Sequence, residues 1–231
     1  MEHLIITIGR QLGSGGRHIG KQLAEQLNLS FYDKELINIA SQESGLSKEL
    51  FEQADEKKQN NLFGTWFGLR SSLMVGDYQI NSSLCNESLF QIQSDVIRRL
   101  AEQQSCVFVG RCADYILRDN PRCINIFISA DLDDRIRRVS EMIRISQERA
   151  NESSEKQQTY QGEQHVYSEK AKELIRQTDK KRAEYYNYYT NKEWGAAKSY
   201  HLCINSSLLG EAETVVYIIK YIQTINAKRT E

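Results

Sequence analysis

Leu4-Ile5-Ile6-Thr7-Ile8-Gly9-Arg10-Gln11-Leu12-Gly13-Ser14-Gly15-Gly16-Arg17-His18-Ile19-Gly20 is the stretch whose reading decides the fold. An apolar strand runs into a glycine-rich turn, and the turn runs into an amphipathic helix striped by Ile19, Leu23 and Leu27. That order aims several backbone N–H groups and a helix N-terminus at one point, which is how proteins hold phosphate. Gly13, Gly15 and Gly16 let the backbone approach an anion and adopt positive φ where needed. The reading assigns Gly13, Ser14, Gly15, Gly16, Arg17 and His18 to phosphate binding.

The loop departs from the phosphate-binding pattern G-x-x-x-x-G-K-[ST], in which Lys reaches the transferring phosphates and the hydroxyl holds magnesium. Aligned on Gly13-Ser14-Gly15, the chain has Gly16 where the Lys belongs, followed by Arg17 and His18. Arg17 is positioned to supply the missing cation, with a planar fork that grips phosphate oxygens at two points. Lys21, one turn on, is expected to point away along the helix. A dinucleotide-binding turn would need a glycine at position 18, where His18 stands, although Asp33 sits where a ribose-binding acid belongs.

Outward from this stretch, four more continuous apolar runs read as buried parallel strands: Leu29–Tyr32, Cys106–Val109, Cys123–Ile128 and His201–Ile204, after a first at Leu4–Ile8. Helical stripes separate them: Leu36, Ile37 and Ala40; Leu89 through Leu100; Ile136, Val139 and Ile143; and Val215, Val216, Ile219 and Ile222. Alternation of this kind predicts a three-layer, doubly wound α/β sheet of about five parallel strands. Residues 45–95 are too long for one crossover and include Leu62-Phe63-Gly64-Thr65-Trp66-Phe67-Gly68, which has no clean period. Residues 144–168 are polar, centred on Asn151-Glu152-Ser153-Ser154-Glu155-Lys156-Gln157-Gln158, and are expected to form a mobile excursion above the sheet.

The composition limits the function classes. Thirty basic against thirty-one acidic side chains give a formal charge of -1, without the basic surplus of a general nucleic-acid binder. No apolar run approaches the ~20 residues that span a bilayer, so no membrane partner is expected. The first strand opens at Leu4, so no signal peptide is expected. The five cysteines contain no C-x-x-C pair; Cys106, Cys123 and Cys203 lie in apolar runs, where cysteine acts as a small buried hydrophobe. A cytoplasmic setting is the simplest expectation. No histidine spacing suggests a metal site in the protein.

A second constellation lies in the middle of the chain. Arg111 follows the Val107-Phe108-Val109-Gly110 run, just past the carboxyl end of a strand, where open α/β sheets bind ligands. Asp134, Arg135 and Arg138 follow the fourth strand, and Arg176, Asp179 and Arg182 recur every three residues along a later helix. An arginine cluster over a phosphate cradle neutralises the charge that spreads over transferring oxygens. Arg137, Lys180 and Lys181 read instead as a solvated face. Tyr185, Tyr186, Tyr188 and Tyr189 with Trp194 read as a packing stripe rather than a base-stacking platform.

In order, the loop, Phe31-Tyr32-Asp33, Gly110-Arg111, Asp134-Arg135 with Arg138, Asp179-x-x-Arg182 and Cys203-Ile204-Asn205-Ser206-Ser207 resemble cytidylate kinase. The resemblance is to the bacterial cytidylate kinase-like group whose loop reads G-S-G-G-R, and it spans nearly the whole chain except residues 45–90. It implies a P-loop nucleoside-monophosphate-kinase fold in one domain: a core of 1–44, 96–140 and 170–231, an acceptor-side insertion at 45–95 and a helical lid at 141–169. It also implies ATP with Mg²⁺ as donor and a pyrimidine monophosphate, CMP or dCMP, as acceptor. By the same resemblance Asp33, Arg111, Asp179 and Arg182 bind the acceptor, and Arg17, Arg135, Arg138 and Arg182 stabilise the transferring phosphoryl group.

Cys112 departs from the resembled Gly-Arg-Asp turn, and Arg176 stands three rather than four residues before Asp179. Gly16 and His18 remove the lysine and the magnesium hydroxyl, for which Ser14 is a partial substitute. Losing one preorganised contact costs ~10²–10³ in rate. Three readings therefore stand: a nucleoside monophosphate kinase, a nucleotide sensor that has lost catalysis, and a kinase of another small acceptor.

Overall fold

The structure is a computed structural model that describes residues 3–33, 35–45, 82–151 and 163–229. The glycine and aromatic stretch at 62–68 and the polar centre at 152–158 lie outside the described residues.

Five parallel strands form the sheet: β1 (Ile5–Arg10), β2 (Ser30–Tyr32), β3 (Cys106–Val109), β4 (Cys123–Ser129) and β5 (Leu202–Asn205), in the order β2-β3-β1-β4-β5. All five are the strands that the apolar runs predict, with shifts of one or two residues at their ends. The first four residues of β1 and all of β3 are buried, because helices cover both faces of a parallel sheet. β1 continues through Gly9 and Arg10 because β4 pairs with it to the end, Gly9 opposite Phe127 and Arg10 opposite Ile128. Arg10 is thus the last residue of a central strand. The chain passes to opposite sides of β1 to form β3 and β4, so the carboxyl end of β1 is a topological switch point, where such sheets bind ligands.

The helices are α1 (Gly16–Leu27), α2 (Glu35–Ser44), α3 (Ser82–Gln103), α4 (Ala113–Ile116), α5 (Leu132–Asn151), α6 (Glu163–Thr190) and α7 (Ser206–Arg229). Two compact units are distinguished, Met1–Asp33 with Ile97–Glu231 and Lys34–Val96. The first contains the sheet and every residue of the candidate site. Ile19 and Leu23 of α1 and Val215, Ile218 and Ile222 of α7 close over Ile6, Ile8 and Ile126. Each such side chain contributes about 1.5–3 kcal/mol on burial. Of the expected stripe on α7, Val215 and Ile222 are buried and Ile219 packs against the core, while Val216 is exposed and Ile218 is buried in its place. Gly210, with φ 73° and ψ 169°, breaks the helix ahead of this stripe. In the second unit, α2 buries Leu36 and Ala40, and the start of α3 buries Leu89 and Val96.

The polar segment expected as a mobile excursion is helical over its described parts: α5 runs to Asn151 and α6 starts at Glu163. The two pack along each other as the helical lid element of this fold. Their polar faces are laced by charge pairs one turn apart, Arg144 with Glu141 (2.6 Å) and Glu148 (2.5 Å) and Lys172 with Glu169 (2.7 Å). Cys203 corrects a second expectation: it is exposed, because β5 is an edge strand, whereas Cys106, Cys112 and Cys123 are buried. Among the described residues no helix is long and apolar enough to cross a membrane.

Candidate active site

The loop from Gln11 to Gly16 is held in place by contacts from distant segments. Gly13 and Gly15 adopt the left-handed region, at φ 79° and 76°. A Cβ on Gly13 would lie 2.8 Å from the Arg135 carbonyl oxygen, so α5 packs on the loop backbone itself. Ser14 is fully buried; its hydroxyl donates to the Gln11 carbonyl (2.9 Å) and its own carbonyl accepts from Ser206 Oγ (2.7 Å). Ser14 therefore braces the loop.

Arg135 and Asp179, which the sequence reading places at the acceptor and transfer sites, also hold the loop. The Leu12 N–H donates to Asp179 Oδ1 (2.8 Å), Arg135 Nε donates to the Leu12 carbonyl (2.8 Å), and Arg135 Nη2 bonds Asp179 Oδ2. Arg138 donates to the Gly13 carbonyl (3.1 Å) and Arg182 to the Arg10 carbonyl (3.1 Å). The stripe Arg176, Asp179, Arg182 divides, since Arg176 faces solvent in a pair with Glu173 while the other two turn inward. Arg137 pairs with Asp134 at the surface and Lys21 with Glu25, as the solvated readings expect.

The mouth of the loop is the N-terminus of α1. Gly15 caps it without a side-chain hydrogen bond, and no acidic residue lies in its first turn. Glu211, just beyond the Gly210 break, brings a carboxylate there: a Cβ on Gly15 would collide with Oε1 and lie 2.7 Å from Cδ. The same carboxylate meets His18 Nδ1 (2.5 Å) and lies 3.9 Å from Arg138 Nε. A carboxylate thus lies beside Gly15 at the N-terminus of α1, the position at which helices favour negative charge. Among the described residues no group of three His, Cys, Asp or Glu side chains could hold a metal ion.

The other wall gathers the carboxyl ends of β2, β3 and β1, which carry Asp33, Gly110-Arg111 and Arg10. Asp33 is buried and accepts from Arg17 Nε at 2.5 Å; Arg10 Nη2 lies 3.8 Å from its other oxygen. Gly110, Arg111 and Cys112 all have positive φ, at 77°, 61° and 53°. For non-glycine residues such backbone is held only where the surroundings enforce it. It turns the chain sharply after β3. The Arg10 side chain runs across Gly110, where a Cβ would overlap its guanidinium. Burial lowers the pKa of Arg10, opposed by Asp33 and reinforced by Arg111 and Arg17, and burial with Arg10 pushes Arg182 down to about 9. Arg182 at about 9 remains charged at neutral pH. Among the described residues, four guanidiniums lie together beside the carboxylates of Asp33 and Asp179.

Behind this wall, Asp114 of α4 is buried and accepts from Tyr186 Oη (2.7 Å); burial raises its pKa and that of Tyr186. Tyr186 is buried and the half-buried Trp194 packs edge-on against Phe127 at 5.2 Å, as the packing reading expects, whereas Tyr188 of the same run is exposed. Sequence reasoning missed Arg10 and Glu211. A cation directly ending an apolar strand was the one available signal for Arg10. Nothing local marks Glu211.

The five-stranded sheet, the loop before α1 and the helical lid define a P-loop α/β protein of the nucleoside-monophosphate-kinase kind. More particularly, the chain belongs to the cytidylate kinase-like family, whose model matches residues 5–208. Among solved structures it is similar to an uncharacterized protein from Eubacterium ventriosum, at 29% identity and TM-score 0.62 over 96% of this chain and 99% of that one. It also matches shikimate kinase from Bacteroides thetaiotaomicron, at 15% identity and TM-score 0.49 over 97% and 98% of the two chains. No curated protein matches the chain.

Proposed function

We propose that the protein is a cytoplasmic nucleoside monophosphate kinase that moves the γ-phosphoryl group of ATP to CMP or dCMP. The observation that carries this reading is the pairing of a glycine loop at Gly13–His18, leading into α1, with a cluster of arginines at the neighbouring strand ends. The family supports the pyrimidine acceptor. In the reaction a phosphate oxygen of the acceptor bonds to the γ-phosphorus while the bond from that phosphorus to the β-bridging oxygen breaks. The products are ADP and a nucleoside diphosphate, and no proton need move.

Loop N–H groups hold the donor phosphates, for which the Glu211 carboxylate must give way. Arg111 grips the acceptor phosphate, with Asp33 beside the sugar. Arg182 and Asp179 border the acceptor, and Arg17 and Arg138 add positive charge around the transferring group. Arg135 acts by holding Leu12 and Asp179 in place. Mg²⁺ would be held mainly by the nucleotide's own oxygens and water, and would supply charge neutralisation between the donor phosphates. Residues 141–169 are the lid, which closes to exclude water, and 45–95 are the acceptor-side insertion.

The test is titration calorimetry with ATP–Mg and CMP, followed by a coupled ADP-release assay. Binding of both with CMP-dependent release is expected, and Arg111→Ala is expected to raise the CMP Kd at least about tenfold while sparing ATP. Equal loss of both ligands would overturn the assignment of Arg111. Gly16 and His18 favour a second reading, a nucleotide sensor, which predicts binding without turnover.

A further inference from the structure

The pattern G-x-x-x-x-G-K, set on Gly15, puts its first glycine at position 10 and its lysine at position 16. The chain has Arg10 and Gly16: the cation stands where the pattern is small, and the small residue where the pattern is cationic. The structure joins the two positions. A Cβ on Gly16 would lie 2.6 Å from Arg10 Cβ and 3.3 Å from its Cγ. The Arg10 side chain therefore fills the space into which a lysine at 16 would leave the backbone, and the two cannot coexist. Gly110 clears the far side, because any Cβ there would strike the guanidinium.

We propose that Arg10, reaching from the end of β1, takes the part of the absent loop lysine and binds the transferring phosphoryl group. The proposal rests on the phosphoryl-transfer reading above and assigns the cation that reading lacked. Arg10 is set for the task by its backbone. Its strand pairing with Ile128 is fixed, and Arg182 bonds its carbonyl. Its side chain is only 21% exposed and passes between the start of α1, which bears the donor cradle, and Gly110 and Asp33 on the acceptor side. Arg17 is the weaker candidate, since it is 58% exposed and already committed to Asp33. A guanidinium fixed in this way offers two parallel N–H groups to phosphate oxygens, at the cost of the lysine's freedom to follow the group as it moves.

The test compares Arg10→Ala, Arg17→Ala, Arg10→Gly and the exchange R10G/G16K, which restores the glycine and the lysine of the ordinary loop. CMP-dependent ADP release is read beside calorimetric affinities for ATP–Mg and AMP, with folding checked by circular dichroism. Arg10→Ala is expected to lower turnover by about 10²–10³-fold and to narrow the preference for ATP over AMP at least about tenfold. Arg17→Ala is expected to cost under about tenfold, and R10G/G16K to regain at least about tenfold over R10G. The proposal is overturned if folded Arg10→Ala turns over within about threefold of wild type, if Arg17→Ala is the larger loss, or if the exchange gives no gain. If wild type releases no ADP, the kinase reading fails and the calorimetric arm decides alone: an unchanged ATP preference in Arg10→Ala overturns the role of Arg10, and a lost preference supports it. If Arg10→Ala does not fold, R10G/G16K against wild type decides: turnover within about tenfold supports the exchange, and a larger loss in a folded protein overturns it.

Discussion

Removing the carboxylate of Asp179 tests the architecture of the loop most directly. Asp179 and Arg135 expose 16% and 7% of their side chains, and the carboxylate serves both Arg135 and the Leu12 N–H. In Asp179→Ala the orphaned N–H costs about 1–3 kcal/mol. A guanidinium left without its partner in a buried pair costs about 3–5 kcal/mol. The two penalties share one carboxylate, and water reaches part of the site, so about 3 kcal/mol is expected in all. For a chain of this length 1 kcal/mol moves Tm by about 2–4 °C, which gives a fall of about 6–12 °C by calorimetry. Asp179→Asn keeps an acceptor for Leu12 and is expected to lose about half as much. Both variants should also weaken ATP binding, because Leu12 leads directly into Gly13. Glu173→Ala removes a fully exposed pair on the same helix and should leave Tm unmoved. A fall of under about 2 °C in Asp179→Ala, with the near-ultraviolet spectrum retained, would refute the claim that this pair holds the loop.

Two further predictions concern titratable groups. Burial raises the pKa of Asp114, so between its ordinary value and the raised one the folded state binds more protons than the unfolded state. The stability contributed by this group is complete below the ordinary value and is lost as pH rises through the raised one. Asp114→Asn keeps the acceptor for Tyr186 and abolishes that slope, so in urea titrations it should gain on wild type more at about pH 7 than at about pH 4; a gain that is the same at both would refute this. Burial pushes the thiols of Cys106 and Cys123 up to about 12 and that of Cys112 higher still, while Cys203 lies exposed on an edge strand. Among these four, mass spectrometry of the native protein after alkylation should find Cys203 modified first, and labelling of Cys112 at a similar rate would contradict its burial.

Much of the fold was legible because its signals are local. The β1, β3 and β4 runs are continuous and apolar because both faces of a parallel sheet are covered, and the glycine loop announces its turn by residue type. The family resemblance gave the lid as helical, whereas composition alone suggested a mobile excursion. The exposed faces of its helices carry charge pairs one turn apart, such as Arg144 with Glu141 and Glu148, which composition counts only as solvated polarity. Cys203 was misread because an apolar run does not tell a central strand from an edge strand. The structure brings Arg135, Arg138 and Arg182 to the glycine loop and the end of β1, but their partners were not foreseeable. Arg135 and Arg138 end on loop carbonyls more than a hundred residues away, and a sequence displays no backbone acceptors.

The sequence by itself determined the strand–loop–helix opening, the five strands, the alternation that makes an α/β sheet and the presence of an arginine set. Each of these depends on periodicity or residue type within a few neighbouring positions. Only the tertiary structure decided that β1 lies between β3 and β4, that Glu211 fills the mouth of the loop, and that Arg10 occupies the space above Gly16. Those facts depend on side-chain volume and charge meeting across the packed ends of strands. A close approach of that kind is fixed when the layers of the sheet and helices come together, and no local pattern encodes it.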